Sequence, residues 1–284
     1  MKVSKIAVVS MVALAAMTGG AACPPQNPAR VAEIAEWLAE RPGLGVAPIS
    51  DRATWNRLAK LGGAANLVAD AEKLLAKPVV ETPDERYLDF TRNGNRTRYQ
   101  KLNDKLNGNL ATLVMAEAVE NKGRFIEKAV AYFDAQCAQR SWTLPAHDRK
   151  LTSFNGTPHI DLGSGMKSCL LATLLVILDA RLPAATREKV IAELDRRTFQ
   201  PYLKTAREGK EAIPNKNHWW YDVEMNWNSV CNACVVRTAL AVVEDRRLRA
   251  EFVAFAEESV PYALKGYNDD GYCSEGMGYW NYGY

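Results

Sequence analysis

Three short stretches concentrate the residue types able to hold and process a sugar. The first is Trp142-Thr143-Leu144-Pro145-Ala146-His147-Asp148, continued at His159-Ile160-Asp161-Leu162. The second is Asn217-His218-Trp219-Trp220, running on to Asn226-Trp227-Asn228-Ser229-Val230-Cys231-Asn232. The third is Asp269-Asp270-Gly271-Tyr272, then Glu275-Gly276-Met277-Gly278-Tyr279-Trp280-Asn281-Tyr282-Gly283. All three mix aromatic rings with amides, carboxylates or imidazoles. The rings offer flat apolar faces on which a pyranose stacks, and the amides and acids hydrogen-bond its hydroxyls. Such a mixture suits a saccharide groove.

The elements that must position these residues read as helices. Residues 31–38 begin the helical pattern, after Pro28 at a natural first-turn position. Leu58, Leu67, Leu74 and Leu75 belong to short amphipathic stretches interrupted by Gly62-Gly63. Ile126, Val130 and Phe133 fall on one helical face; Val190, Ile191 and Leu194 repeat the pattern, as do Leu248, Phe252 and Phe255. Strand-like alternation is scarce. Residues 142–158 and 213–225 form polar connections longer than a tight bundle needs, and long loops on rigid helices carry function. Helix pairs joined alternately by short and long loops predict an all-α chain built as an (α/α) toroid, with the long loops rimming a cleft.

Composition bounds the remaining possibilities. The 284-residue chain has a net charge of +3, from 36 Lys and Arg against 33 Asp and Glu. That excess is too small to argue for nucleic acid and is compatible with an acidic ligand. At the N-terminus, Lys2 and Lys5 precede an uncharged apolar run and the small residues Gly19 to Ala22, the anatomy of a secretory signal peptide over residues 1–22. Cys23 also stands where a lipoprotein carries its lipid, which would be the chain's one tie to a membrane. Either route predicts an exported protein of the periplasm or cell surface. The apolar stretch 170–178 has the length of a buried core helix. Cys231 and Cys234 have redox or metal spacing, but no second pair or His-x-x-His accompanies them. The spacing reads better as two small residues packed on one helix face, and no metal or cofactor is expected.

The run from Asn226 to Ala233, the helix ending Ser259-Val260-Pro261-Tyr262-Ala263-Leu264, and the stretch from Asp270 to Gly283 resemble the heparinase II/III-like polysaccharide lyases, a group that includes related alginate lyases. The resemblance covers residues 142–284 and is most specific in the third motif; earlier residues fit only by helical character. It implies a helical toroid followed by a β-sandwich with catalysis between them. On that reading residues 23–140 are the N-terminal part of the toroid, and residues 141–284 carry the catalytic motifs. The chain stops directly after its densest motif, so the expectation is an incomplete toroid whose β-sandwich is missing, weakly active or inactive by itself.

The reaction implied is β-elimination at a uronic acid in an acidic polysaccharide. The C5 proton is a very weak acid beside a charged carboxylate, so the carboxylate must be neutralised by hydrogen bonds. A base then takes the proton and an acid protonates the departing O4. By position in the motif, Tyr282 matches the family's catalytic tyrosine and Asn226 the carboxylate-neutralising asparagine. Several members have a His directly after that Asn; here Trp227 stands there, leaving His218 or His147 as replacements. His218 is accordingly placed with Tyr282 and Asn226 as catalytic, and Trp142, His147, Trp227, Glu275, Tyr279 and Trp280 as substrate-binding. Plainer roles compete: Asn226 as a helix cap, His147 paired with Asp148, the tryptophans as core, Glu275 as a loop-orienting group. Two other functions compete as well. A glycoside hydrolase on the same helices would use two carboxyl groups from Asp148, Asp161, Asp270 and Glu275. A surface lipoprotein would bind the polymer without cleaving it.

Overall fold

The structure, a computed structural model, describes residues 27–283. The expected signal peptide and Cys23 lie outside the described residues. Among these the chain is all-α: no strand forms, and an isolated bridge joins Tyr267 to Cys273.

Capping residues fix where the helices begin. Helix α1 (Pro28–Trp37) starts behind Asn27, whose side chain accepts from the Arg30 amide. In α2 (Arg52–Leu58) Asp51 does the same for Thr54. Then come α3 (Ala64–Leu75), α4 (Asp84–Asn93), the long α5 (Thr97–Glu120) and α6 (Ile126–Ala138). Helix α7 (Leu162–Leu178) opens with a reciprocal capping box: Asp161 accepts from the Ser164 amide at 2.7 Å, and Ser164 Oγ accepts from the Asp161 amide at 2.9 Å. A π-turn at Asp195–Phe199 carries α8 (Ala184–Leu194) directly into α9 (Gln200–Glu208). The chain closes with α10 (Asn226–Val242), α11 (Arg246–Leu264) and the short α12 (Met277–Gly283).

Helices α5, α7 and α10 pack side by side as a central row. Around it α3 and α6 lie on α5, α8 lies on α6 and α7, and α11 lies on α10 with α1 outside it. Leu110, Leu113, Leu171, Leu175, Val235 and Phe252 are buried in the continuous core between these layers. The segment Leu162–Arg181 is long and apolar enough to cross a membrane, yet 56% of its apolar window is buried inside this fold.

The loop bearing His147 is docked on α7 through a glycine. A Cβ on Gly163 would come within 2.4 Å of Leu144 Cγ, so only glycine lets the loop approach this closely. The same loop is stitched underneath by Asp148, which accepts from the Tyr87 hydroxyl at 2.9 Å and from the amides of Ser153 and Phe154 at 3.1 and 2.9 Å. Those bonds correct the expected pairing of His147 with Asp148: this carboxylate is buried and faces away into its own turn.

Candidate functional site

A cavity of about 820 Å³ opens where the middle of α5 meets the first turns of α7 and α10. Asn103, Asp104 and Asn107 line it from α5, Met166 and Lys167 from α7, and Asn226 and Trp227 from α10. The third motif closes it with Glu275, Tyr279 and Tyr282, and the 142–148 loop contributes His147. Six of the nine singled-out residues therefore share one space: Asn226, Tyr282, His147, Trp227, Glu275 and Tyr279. The first turns of α7 and α10 border this space, each with a backbone amide already bonded to a carboxylate, Asp161 and Glu275 respectively.

Asn226 and Tyr282 are neighbours because of another glycine. A Cβ on Gly283 would lie 2.9 Å from Asn226 Cβ, so α12 seats directly on the first turn of α10. Ser229 Oγ donates to the Gly283 carbonyl and fastens the same contact. Asn226 is not a side-chain cap; α10 begins at Asn226 itself behind Met225, which makes no side-chain cap bond. Glu275 serves that end instead, accepting from the Asn226 amide at 2.6 Å and from its Nδ2 at 2.7 Å. A carboxylate on a helix N-terminus is electrostatically favourable. It also holds the Asn226 side chain in one orientation, with Oδ1 buried and lacking a hydrogen-bond partner. Nδ2 spends one of its two hydrogens on Glu275.

His147 is oriented by Asp161. Its Nδ1 lies 2.6 Å from Asp161 Oδ2, which also accepts from the Leu144 amide at 3.1 Å. Burial alone would raise the Asp161 pKa. The bond and charge of His147, with the Ser164 and Leu144 amides, outweigh it and hold the carboxyl below its ordinary range. The imidazole packs edge-on against Trp227, ring centroids 4.6 Å apart. Tyr282 is exposed, with its hydroxyl 3.9 Å from Met166 Sδ. Burial of part of its ring, then the nearby Cys234, Cys231, Asp161 and Tyr279, push its pKa up, so the phenol keeps its proton at neutrality.

Three of the expected site residues lie elsewhere. His218 is completely buried; the Ile160 amide donates to its Nε2 at 2.7 Å, and its Nδ1–H donates to Thr205 Oγ1 at 2.5 Å. With both nitrogens engaged in the core it has nothing left for a substrate. Trp142 is core as well: 3% exposed, it donates to the Gln136 carbonyl at 2.9 Å and lies under the Arg197 guanidinium. Trp280 does not line this cavity; its indole donates to the Gly271 carbonyl at 2.9 Å and closes its own loop.

The buried histidines set an expected pH response. Burial, then the charge of His159, holds the His218 pKa well below the usual imidazole value. Burial also lowers His159, against the pull of Asp161, Asp148 and the His147 carbonyl. Both folded-state values lie below the unfolded one, so the folded chain binds fewer protons. Stability is complete above pH ~6.5 and is lost as pH falls below it, by up to about 1.4 kcal/mol per pH unit for each ring. Denaturant melts at pH 8, 6.5 and 5.5 should show the midpoint falling between the last two, and His218→Gln should flatten that fall. A midpoint unchanged down to pH 5.5 contradicts the assignment.

Sequence reasoning missed Lys167 and the α5 wall. Lys167 is 1% exposed, its Nζ donating to Gln136 Oε1 at 2.5 Å and to Gln139 Oε1. Burial, then Arg197, lowers its pKa well below that of a free lysine. The signal was present: it is the one charged residue in α7. Asn103 and Asn107 gave no such signal, because two amides one turn apart look like any solvated helix face.

Cys231 and Cys234 stand one turn apart on α10. Cys231 is fully buried and Cys234 half-buried, and both are free thiols. Among the described residues no group of three or more His, Cys, Asp or Glu side chains is placed to hold a metal ion. No protein-family model matches the chain, and no curated protein matches it.

Proposed function

We propose that the chain belongs to an exported polysaccharide lyase that cleaves uronic-acid polymers by β-elimination, its helices forming an (α/α) toroid. The observation that carries this reading is that Asn226, Tyr282 and the Asp161-oriented His147 line one cavity. The row α5–α7–α10, with outer helices packed against it, supports the toroid.

On this reading the chemistry divides among these groups. The second hydrogen of Asn226 Nδ2 bonds the sugar carboxylate and withdraws charge from it. Asp161 accepts a hydrogen bond from His147 Nδ1–H and fixes that tautomer, leaving the Nε2 lone pair as the base for the C5 proton. The C5–H electron pair then forms the C4–C5 double bond, the C4–O4 bond breaks, and Tyr282, protonated at rest, gives its proton to O4. His147 thus takes the place proposed from sequence for His218, and stands in for the His that Trp227 replaces.

A hydrolase is the second reading, because Asp104 and Glu275 both line the larger cavity. Against it, Glu275 is already bound to Asn226. The full-length protein should generate ultraviolet-absorbing enone ends from a uronate polymer, and His147→Gln should cut that rate about 100-fold. New reducing ends without enone would make it a hydrolase, and binding without either product would make it a carrier.

A further inference from the structure

Beyond His147 and Trp227 lies a second cavity, of about 370 Å³. The two rings form the wall it shares with the larger one, since both line both spaces. Its other side is built by Arg149 and Lys150 from the loop after His147, by His159, and by Asn217 and Trp219 from the 213–225 loop. Nothing in the elimination chemistry uses these five residues.

His159 is the informative one. It is 2% exposed, and the Asn217 amide donates to its Nδ1 at 3.2 Å. With the Asn217 amide as the donor, the ring hydrogen falls on Nε2. This Nε2 is buried and has no hydrogen-bond partner. Buried donors are rarely left unmade, and an orphan beside a cavity marks the place of an acceptor the ligand brings. The charge of the lining says what kind of acceptor. Arg149 and Lys150 are exposed cations at the mouth. Asp161 is the sole carboxylate of the lining, and its oxygens are taken by His147, Leu144 and Ser164. A space with one directional donor, two cations and a satisfied carboxylate selects an oxyanion over a hydroxyl or a metal ion.

We propose that the smaller cavity is an oxyanion subsite, which binds the carboxylate or sulfate of the sugar unit adjoining the one in the larger cavity. His159 Nε2–H points the anion, Arg149 and Lys150 supply its counter-charge, and the Trp219 ring bounds the sugar. The inference rests on the acidic-polymer reading and deepens it, since it requires at least two consecutive charged units.

Tryptophan fluorescence and calorimetry test it on the full-length protein, with Trp219 and Trp227 as reporters. The probes are an unsulfated uronate tetrasaccharide, its carboxyl-reduced neutral form, an O-sulfated uronate tetrasaccharide, and a uronate disaccharide. The Arg149→Ala/Lys150→Ala variant removes only exposed side chains and should fold unchanged. It is expected to bind either charged tetrasaccharide at least tenfold more weakly, and the neutral form as the parent does. Tighter parent binding of the sulfated probe identifies sulfate as the natural occupant; equal binding identifies the carboxylate. His159→Phe, checked by its melt, should reproduce the loss. If the parent forms enone but the double variant binds the charged tetrasaccharides unchanged, the subsite is wrong while the lyase stands. If the parent binds neither the disaccharide nor any tetrasaccharide, both fall.

Discussion

Tyr282→Phe should lower enone formation by the full-length protein by about two to four orders of magnitude, with the melting temperature unchanged. The expectation of unchanged folding comes from the hydroxyl's surroundings. It lies 3.9 Å from Met166 Sδ, a weak acceptor, and the side chain is exposed, so removing the oxygen orphans no buried group. The expectation of a large rate loss comes from protonation. Part-burial and the nearby Cys234 raise the phenol pKa, so at neutral pH it stands ready as an acid towards the departing O4. The defect should therefore appear in kcat, with KM held. A uronate whose O4 carries an aryl group, which departs without a proton, should recover most of the rate in the variant. Loss on both substrates alike would move Tyr282 from proton donor to a binding role, and no loss on either would remove it from the mechanism.

What the sequence made legible follows from how local each signal is. Helix periodicity and caps are local, so α1, α6, α8 and α11 were readable from their apolar faces. Asn226 and Tyr282 stood out from dense motifs, and α12 does seat one against the other through Gly283. The histidines were not legible in this way. His147, His159 and His218 all sit in aromatic, polar loops, and nothing within a few residues separates them. Their fates depend on partners far along the chain: Asp161 for His147, Thr205 and Ile160 for His218, Asn217 for His159. Trp142 was misplaced for the same reason, because the Arg197 lying over it comes from the π-turn between α8 and α9. The smaller cavity combines two loops separated by more than fifty residues, so no single motif announces it.

The amides that follow Asn226 have a separate job, and Asn232→Leu should show it as the largest loss of stability. Asn232 is fully buried in the middle of α10. Its Nδ2 donates to the Asn228 carbonyl at 2.8 Å and to Ser259 Oγ at 2.9 Å, and its Oδ1 accepts from the Tyr202 hydroxyl at 2.7 Å. Asn228 and Ser259 each donate to the Tyr221 carbonyl, at 2.7 and 2.5 Å. One network thus ties α10 to α9, to α11 and to the turn carrying Trp219. Leucine preserves most of the volume but takes from the buried Tyr202 hydroxyl the acceptor it uses and interrupts the chain to Ser259. Unmade buried bonds of this kind cost roughly 1–3 kcal/mol each, so a loss of about 3–5 kcal/mol is expected, on the order of 10 °C in melting temperature. The network argument has a sharper consequence than the size of the loss. Adding Tyr202→Phe removes the stranded hydroxyl, so the double variant should be more stable than Asn232→Leu alone by about 1 kcal/mol or more. Simple cavity formation predicts the reverse order, because each substitution would then add its own cost. A double variant less stable than the single one would show that α10 is held by packing and that Asn232 contributes volume rather than hydrogen bonds.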